Sequence, residues 1–289
     1  MANDPVNWGV ATFDGLDSTG YPYNFGNPTS YGAADTLTSR KIDVTSVIDS
    51  LFLSFYYQPQ GNGNKPETRD SLTLQFYRKS DSTWVRLWGA DGEALQPFRQ
   101  VMIPVDTSFQ NDEFQFRFIN WATLSGNVDH WNLDHVYLDE NRNYLDTALN
   151  DVSFITDHHN LLAEFTAMPW THYVTDSLNF MAPAMNVTYK NNHNTTYAVF
   201  YKYRVIDNNG AGPILETYPS TTSSKNAPAW GELIEPQAVY DINPVFINDF
   251  YYPPDASQTK VFQIRNYFDL NSIIDDHPEN DTVCLLYTS

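Results

Sequence analysis

Side chains of alternating character predict two β-strands flanking a polar loop in the middle of the chain. Phe114, Phe116 and Phe118 share one face of the first strand, because successive side chains of a strand point to opposite faces. The alternation resumes at 131–137, after the polar loop at 125–127. Segments of this kind are typical of antiparallel sandwiches, whose loops commonly carry recognition.

The same pattern recurs in short runs along the first half of the chain. Alternating runs begin at Leu51, Leu72, Trp84 and Val101, and turn-forming residues separate them, most densely at 58–64. No window shows a sustained helical period with caps. We count seven or more strands before Leu138, so the sequence predicts an all-β chain that begins with a sandwich.

A second unit follows the polar stretch at 139–143. Its clearest strands are expected at residues 186–189, 197–206 and 261–267. We therefore predict two β-sandwich domains, a jelly roll over residues 1–148 and a truncated, immunoglobulin-like or jelly-roll sandwich over residues 149–283.

The charge balance narrows the classes of partner. With 35 acidic and 16 basic residues, the chain has a formal net charge of −19 at pH 7. Such a surface repels phosphate backbones, so we predict no nucleic-acid binding, whereas cation binding is compatible with it. No apolar run approaches the ~20 residues of a membrane-spanning helix, so no membrane span is predicted.

The last six residues, 284–289, read CLLYTS and resemble the in-frame translation of a transposase adaptor used in sequencing libraries. We therefore expect these six residues to be a non-native tail. Cys284 is the only cysteine, so the sequence through Val283 contains none. Disulfides, thiolate metal sites and cysteine nucleophiles are then excluded together.

Several blocks between about residues 12 and 138 resemble, in order, the MAM module of extracellular adhesion proteins. The matching blocks are TFDG at 12–15, ADTLTS at 34–39, LSFYYQPQGNG at 53–63, DSLTLQFY at 70–77, WVRLWGADGE at 84–93, FQFRF at 114–118 and the closing segment at 129–137. The resemblance implies a concanavalin-like jelly roll for the first domain.

Animal MAM modules carry disulfide-forming cysteines, which this chain lacks at the corresponding places. The sequence is more similar to sandwich modules of very large proteins that gliding bacteria export by type IX secretion. This second resemblance implies an extracellular or cell-surface location and neighbouring domains in a longer chain. It also implies that a signal peptide lies upstream of this fragment, since none is present at residues 1–5.

Carboxylates near the closing strand suggest a calcium site. Asp129 and Asp134 offer oxygen ligands for Ca²⁺, a hard cation that takes about 6–8 of them, and Asp35 or Asp14 from a neighbouring loop would add to the set. Alternation, however, places Asp129 and Asp134 on opposite faces of an extended segment. The alternative is a solvated strand end with a buried, hydrogen-bonded aspartate. Ca²⁺ is the single cofactor that the sequence suggests.

Aromatic residues suggest a surface for sugar rings. Trp84, Arg86 and Trp88 alternate with Val85 and Leu87, so they would form an exposed stripe if Val85 and Leu87 face the core. The reverse orientation would bury both tryptophans and leave Arg86 extended along the surface.

Trp121 is the better single candidate for ligand contact. The chain leaves its strand there and enters the polar loop that holds Asn127 and Asp129. Loops on a rigid scaffold commonly bind partners, so these three residues are predicted to contact the ligand.

Catalytic motifs are absent from the sequence. It contains no GxSxG, no glycine-rich phosphate loop and no Cys/His pair, and Asp157-His158-His159 lacks the ligand spacing of a zinc site. We interpret that triplet as an interdomain loop and predict that the chain is not an enzyme.

The predicted function is that of a non-catalytic recognition, adhesion or spacer module in a large secreted or cell-surface bacterial protein. Its partner would be a glycan or a cell-surface protein, bound through loops. The alternative is an accessory carbohydrate-binding module of a secreted polysaccharide hydrolase or protease.

Overall fold

A computed structural model describes most of the chain. The described residues are 2–47, 49–147, 149–156, 162–182, 184–207, 211–212, 214–218, 232–235, 238–246, 261–269, 275, 277–278 and 282–288. They belong to two compact units, Met1–Thr147 and Ala148–Ser289. The secondary structure is nearly all β, which confirms the predicted class. Within the described ranges, no helix has the length and apolar character needed to cross a membrane.

The described residues of the first unit form eight strands. They are β1 (Ala11–Phe13), β2 (Tyr31–Thr38), β3 (Phe52–Pro59), β4 (Ser71–Arg78), β5 (Thr83–Asp91), β6 (Arg99–Pro104), β7 (Phe116–Thr123) and β8 (Trp131–Asp139). One sheet has the order β1-β8-β3-β6 and the other β2-β7-β4-β5. All pairs are antiparallel. This interleaved order is that of an eight-stranded jelly roll, so the predicted architecture of the first domain is confirmed.

Alternating side chains from both sheets meet in one core. Phe55 of β3 lies 4.8 Å, ring to ring, from Phe118 of β7. Leu72, Leu74 and Phe76 of β4 are fully buried in the same cluster. Burying such side chains stabilises the fold by roughly 1.5–3 kcal/mol each. The residues between them in β4 therefore point outward, to the other face of their sheet.

The second unit is also a sandwich. One sheet has the order β14-β10-β9 and the other the order β12-β11-β15-β16, with β13 paired to β11. Their bounds are β9 (Val152–Phe154), β10 (Ala184–Asn191), β11 (Tyr197–Ile206), β12 (Ile214–Tyr218), β13 (Glu232–Ile234), β14 (Val239–Phe246), β15 (Val261–Asp269) and β16 (Thr282–Thr288). Strands β9, β10 and β14 take the places of A, B and E, and β11, β15 and β16 those of C, F and G, which makes this unit immunoglobulin-like.

Two short helices interrupt the strands of the second unit, α1 (Trp170–Tyr173) and α2 (Ser177–Phe180). Trp170 and Tyr173 are buried in the core of this unit, and their rings stack at 5.2 Å. Four residues give no readable helical period, and tertiary packing rather than propensity forms such a turn.

The predicted tail is part of a strand in this structure. Residues 284–288 lie in β16 and pair with β15, from Arg265↔Cys284 to Val261↔Thr288. They complete the sheet at the position of strand G.

Candidate functional site

The sheet β2-β7-β4-β5 presents its outer face to solvent. In β4, Leu74 and Phe76 point into the core, so Gln75 and Tyr77 point outward. Cross-strand partners share a face. The partners across β4 are Tyr77↔Trp84, Gln75↔Arg86, Gln75↔Arg117 and Ser71↔Trp121. The five residues Tyr77, Trp84, Arg86, Arg117 and Trp121 are termed the aromatic face.

Trp84 is held by neighbours on the aromatic face. The centroid of its ring lies 5.4 Å from that of Tyr77. The guanidinium carbon of Arg117 lies 4.2 Å from the Trp84 ring, within the range of a cation–π contact. Arg117 Nε in turn donates to Gln75 Oε1 at 2.8 Å. The indole is therefore pre-ordered, which lowers the entropic cost of binding a ligand on it.

Trp121 and Arg86 flank Thr73 farther along the same face. Trp121 Nε1 donates to Thr73 Oγ1 at 3.2 Å, which ties the indole to β4. Thr73 pairs with Gly89, and the guanidinium of Arg86 lies over that glycine: a Cβ on Gly89 would come within 2.1 Å of Arg86 Nη2. Arg86 thus occupies the space that the missing side chain leaves.

The structure separates Trp88 from Trp84 and Arg86. Gln75 pairs with Arg86 but Leu74 pairs with Trp88, so Leu87 is an extra residue in β5, a β-bulge. Beyond the bulge the alternation is inverted. Trp88 turns into the sandwich and contacts Phe55 at 5.0 Å, ring to ring. The predicted stripe of three residues is wrong in this respect, and Leu87 is 37% exposed instead of buried.

The cations of the aromatic face have no acidic partner. Within the described part of the chain, no carboxylate lies within ion-pair distance of Arg86 or Arg117. Both guanidiniums can therefore attract an anionic ligand, although the exposed Asp91, which pairs with Ser71, lies at the Trp121 end of the same face.

The polar loop that contains Asn127 is pinned by His130. The Nδ1 atom of His130 accepts a hydrogen bond from Asn64 N at 2.5 Å, and its Nε2 pairs with Asn127 Oδ1. Burial lowers the pKa of His130, which favours the neutral ring that this pairing requires. The Asn127 side chain thus bonds to a loop residue and Trp121 to β4, so the two predicted ligand residues have separate partners.

The predicted calcium ligands Asp134, Asp14 and Asp35 are each engaged by other parts of the first unit. Asp134 Oδ2 accepts hydrogen bonds from Val6 N at 2.8 Å and Asn7 N at 3.1 Å, so it anchors the N-terminal segment. Asp14 Oδ1 accepts from Leu16 N within its own turn.

Asp35 Oδ2 accepts from Gly15 N at 2.8 Å, and Asp35 Oδ1 accepts from Tyr23 Oη at 3.1 Å. The structure therefore does not gather Asp129, Asp134, Asp35 and Asp14 into one site.

Asp129 instead meets two carboxylates that the sequence did not single out. One side-chain oxygen from each of Glu67, Asp70 and Asp129 lies within 4.8 Å of the others, the single group of its kind among the described residues. These three residues are termed the carboxylate cluster. Glu67 and Asp70 belong to the turn before β4, and Asp129 lies between β7 and β8 with a φ of 61°. Asp129 Oδ2 accepts from Thr123 N at 2.9 Å.

The carboxylate cluster is buried on one side and open on the other. Asp70 is 0% exposed and Asp129 1%, whereas Glu67 is exposed. Burial, followed by repulsion from Asp129, raises the pKa of Asp70 to about 7. Burial also raises the pKa of Asp129. Asp70 and Asp129 are buried, so the cluster reaches solvent on the side of Glu67.

Among the described residues of the second unit, Asp151, Ser153 and Asn192 form a buried polar group that is bonded within itself. Asn192 Nδ2 donates to Asp151 Oδ2 at 2.8 Å and to Ser153 Oγ at 3.0 Å, and all three residues are buried. The sequence triplet Asp157-His158-His159 lies outside the described residues.

Comparisons with known proteins identify no family. No protein-family model matches the chain, and no curated protein is significantly similar in sequence. Among solved structures, the chain is similar to a GH2 β-galacturonidase from Eisenbergiella tayi, with a TM-score of 0.29, 6% identity, and coverage of 92% of this chain and 37% of that one. A β-glucuronidase from Bacteroides uniformis gives a TM-score of 0.26, 7% identity, and coverage of 99% and 31%.

A further similar structure is a putative β-galactosidase from Bacteroides fragilis, with a TM-score of 0.25, 9% identity, and coverage of 96% of this chain and 40% of that one. The chain thus spans only 31–40% of the length of these three proteins. At such scores and identities, the likeness assigns neither a family nor an activity to this chain.

Proposed function

We propose that the chain is a non-catalytic recognition module of a secreted or cell-surface bacterial protein, and that its aromatic face binds an acidic glycan. The observation that carries the proposal is the presence of two indoles and two guanidiniums without acidic partners on one face of a β-sheet. The extracellular location rests on the sequence resemblance to exported sandwich modules.

The residue types of the aromatic face suit the two parts of an acidic sugar. An aromatic ring offers a flat apolar surface to the C–H face of a pyranose, with geometry fixed by the neighbours of Trp84. A guanidinium binds a carboxylate through two parallel N–H···O bonds, which a neutral sugar cannot replace. Arg86 is exposed and free to do so, and Arg117 adds charge beside Trp84.

The same face would serve an adhesin or an accessory module of a polysaccharide hydrolase or protease. In both cases the surface holds a polysaccharide, and only the neighbouring domains differ.

Calorimetric titration of the full chain with oligosaccharides of equal length tests the proposal. We expect oligogalacturonate to bind and a neutral xylo-oligosaccharide to bind at least about tenfold more weakly, since a charge-assisted pair contributes roughly 1.5–3 kcal/mol. Trp84→Ala and Arg86→Ala should each weaken binding about tenfold or more. Arg86→Lys should restore little of the loss, because an ammonium cannot form the bidentate pair.

The matched control is Trp8→Ala, which removes a tryptophan that is 51% exposed outside the aromatic face. Its affinity should equal that of the unmodified chain. Equal affinity for neutral and acidic sugars would contradict the acidic class. Binding that survives Trp84→Ala, Arg86→Ala and Trp121→Ala would rule out this face, and no binding to any glycan would favour the spacer.

A further inference from the structure

The carboxylate cluster contains a buried oxygen that no protein group satisfies. Asp70 Oδ2 accepts a hydrogen bond from Glu67 N at 2.6 Å, but Asp70 Oδ1 has no hydrogen-bond partner although the side chain is fully buried. Leaving a buried charged oxygen unsatisfied is costly, so such an atom requires a ligand or an ion. This observation is independent of the clustering of the acids.

The charges of the cluster do not balance within the protein. The nearest cation to Asp70 Oδ1 is Arg69, with its Nε at 3.7 Å and its side chain 58% exposed. The same guanidinium also donates to Thr123 Oγ1 at 3.0 Å. When all three carboxyls are ionised, as a bound cation requires, one guanidinium leaves two negative charges, which is the charge that a divalent cation neutralises.

The ligand atoms select the kind of cation. All three are carboxylate oxygens, which suit hard cations rather than zinc or copper. Mg²⁺ demands near-ideal octahedral geometry and gives up its water ligands reluctantly, so it seldom occupies a site built from several carboxylates. Ca²⁺ accepts about six to eight oxygens in flexible geometry, and the exposed Glu67 leaves room for water ligands.

We propose that Glu67, Asp70 and Asp129 bind a calcium ion that joins the turn before β4 to the loop between β7 and β8. The ion takes Asp70 Oδ1 as a buried ligand and reaches solvent on the side of Glu67. Because Asp129 precedes His130, the same ion stabilises the loop that carries Asn127. This site is separate from the glycan proposal, and each can fail without the other.

Titration of the full chain with CaCl₂ after removal of metals with EGTA tests the site. We expect one calcium ion to bind at this site, and millimolar CaCl₂ to raise the melting temperature of the first unit by about 5 °C, since a ligand that binds only the folded state stabilises it by mass action. MgCl₂ at the same concentration should give a much smaller shift.

Asp70→Asn is the decisive variant. Its amide oxygen can still accept from Glu67 N, while the amide N–H₂ can donate to a neighbouring carboxylate. We therefore expect it to fold, to melt at or above the temperature of the metal-free unmodified chain, and to lose the response to calcium. Asp14→Asn and Asp35→Asn are controls that should keep the full response, since they lie outside the cluster.

Three outcomes would overturn the assignment. The first is an unmodified chain that shows neither heat of binding nor a shift with millimolar CaCl₂. The second is an Asp70→Asn chain that responds as the unmodified chain does, which would place any calcium elsewhere. The third is an equal response to MgCl₂, which would contradict the selectivity for calcium.

Discussion

The aromatic face is made by strand residues that point to solvent, whereas the carboxylate cluster is made by two loops whose oxygens point inward. Trp84 and Arg117 already satisfy each other, and a ligand would add contacts to groups that the fold tolerates without it. Asp70 carries an unsatisfied, fully buried oxygen, so the fold itself is under electrostatic strain there. Changes in the aromatic face should therefore alter binding, and changes in the carboxylate cluster should alter stability.

The largest loss of stability is expected at Trp88, which the sequence places beside Trp84 and Arg86 but which packs against the core. Trp88→Ala should lower the free energy of unfolding by about 2–3 kcal/mol, because it removes ring contacts with Phe55 and Tyr57. Trp84→Ala, on the outer side, should lower it by less than about 1 kcal/mol. Urea unfolding of both variants measures the difference, and equal losses would mean that β5 lacks the bulge.

A smaller loss is expected from a glycine that supports the carboxylate cluster. A Cβ on Gly92 would come within 1.9 Å of the backbone oxygen of Glu67, so Gly92→Ala must displace the turn before β4. We expect a loss of about 1–3 kcal/mol in urea unfolding, as for other overpacked sites, together with a weaker calcium response. Gly26→Ala is the matched control, since nothing lies within 4 Å of its Cβ. A harmless Gly92→Ala would contradict this placement of the turn.

The smallest effect is the pH dependence of the metal-free chain. Asp70 faces Asp129 and Glu67, with Arg69 as the single nearby cation among the described residues. Its pKa is raised from 3.8 to about 7 on folding, so the protonated form is the one that favours the folded state. This contribution is complete below about pH 3.8 and is lost as the pH rises through about 7.

Stability of the metal-free chain should therefore fall by about 1–2 kcal/mol between pH 5.5 and pH 8, since each unit of pKa difference corresponds to about 1.4 kcal/mol and the group is coupled to its neighbours. Thermal melts at both pH values measure the change. Asp70→Asn should flatten the profile, while Asp14→Asn should keep the slope. A slope that is unchanged in Asp70→Asn would assign the effect to another group.

Period-two alternation predicted the parts of the first unit that both sheets bury. Strands β3, β4 and β7 alternate against one core, and each was predicted. Strand β8 was predicted too, but the alternation expected over 131–137 is wrong beyond Leu133, because the register with β3 shifts there and Leu138 rather than Tyr137 faces the core. Strand β2 was not, because its sequence YGAADTLT places only one buried residue, Ala34, among exposed ones. The alternation of apolar and polar residues reveals a strand only where one of its faces is buried, so a mostly exposed strand such as β2 is not recognised from the sequence.

The sequence predicted candidate site residues only where alternation within a strand determines the face on which they lie. Trp84, Arg86 and Trp121 were named from the sequence, and the structure brings them to one face of one sheet. Trp88 was placed on the wrong face because the bulge at Leu87 inverts the alternation, and no residue in the sequence marks the position of that bulge.

Asp70 and Asp129 of the carboxylate cluster lie 59 positions apart in the sequence. They meet because two loops come together in the fold, and the periodicity of the sequence does not predict such a contact. Asp134 was misassigned for the same reason, since its hydrogen-bond donors lie at Val6 and Asn7.

Because of the bulge at Leu87, the number of residues in β5, rather than their types, determines which tryptophan is exposed to a partner. Trp84 points outward while Trp88 points inward only because Leu87 is inserted between the two halves of β5. A related chain with that single codon deleted would encode the same aromatic side chains and yet turn Trp84 inward or Trp88 outward. Related modules can therefore change what they bind through the insertion or deletion of one residue in an edge strand. A comparison of amino-acid composition would not detect such a change.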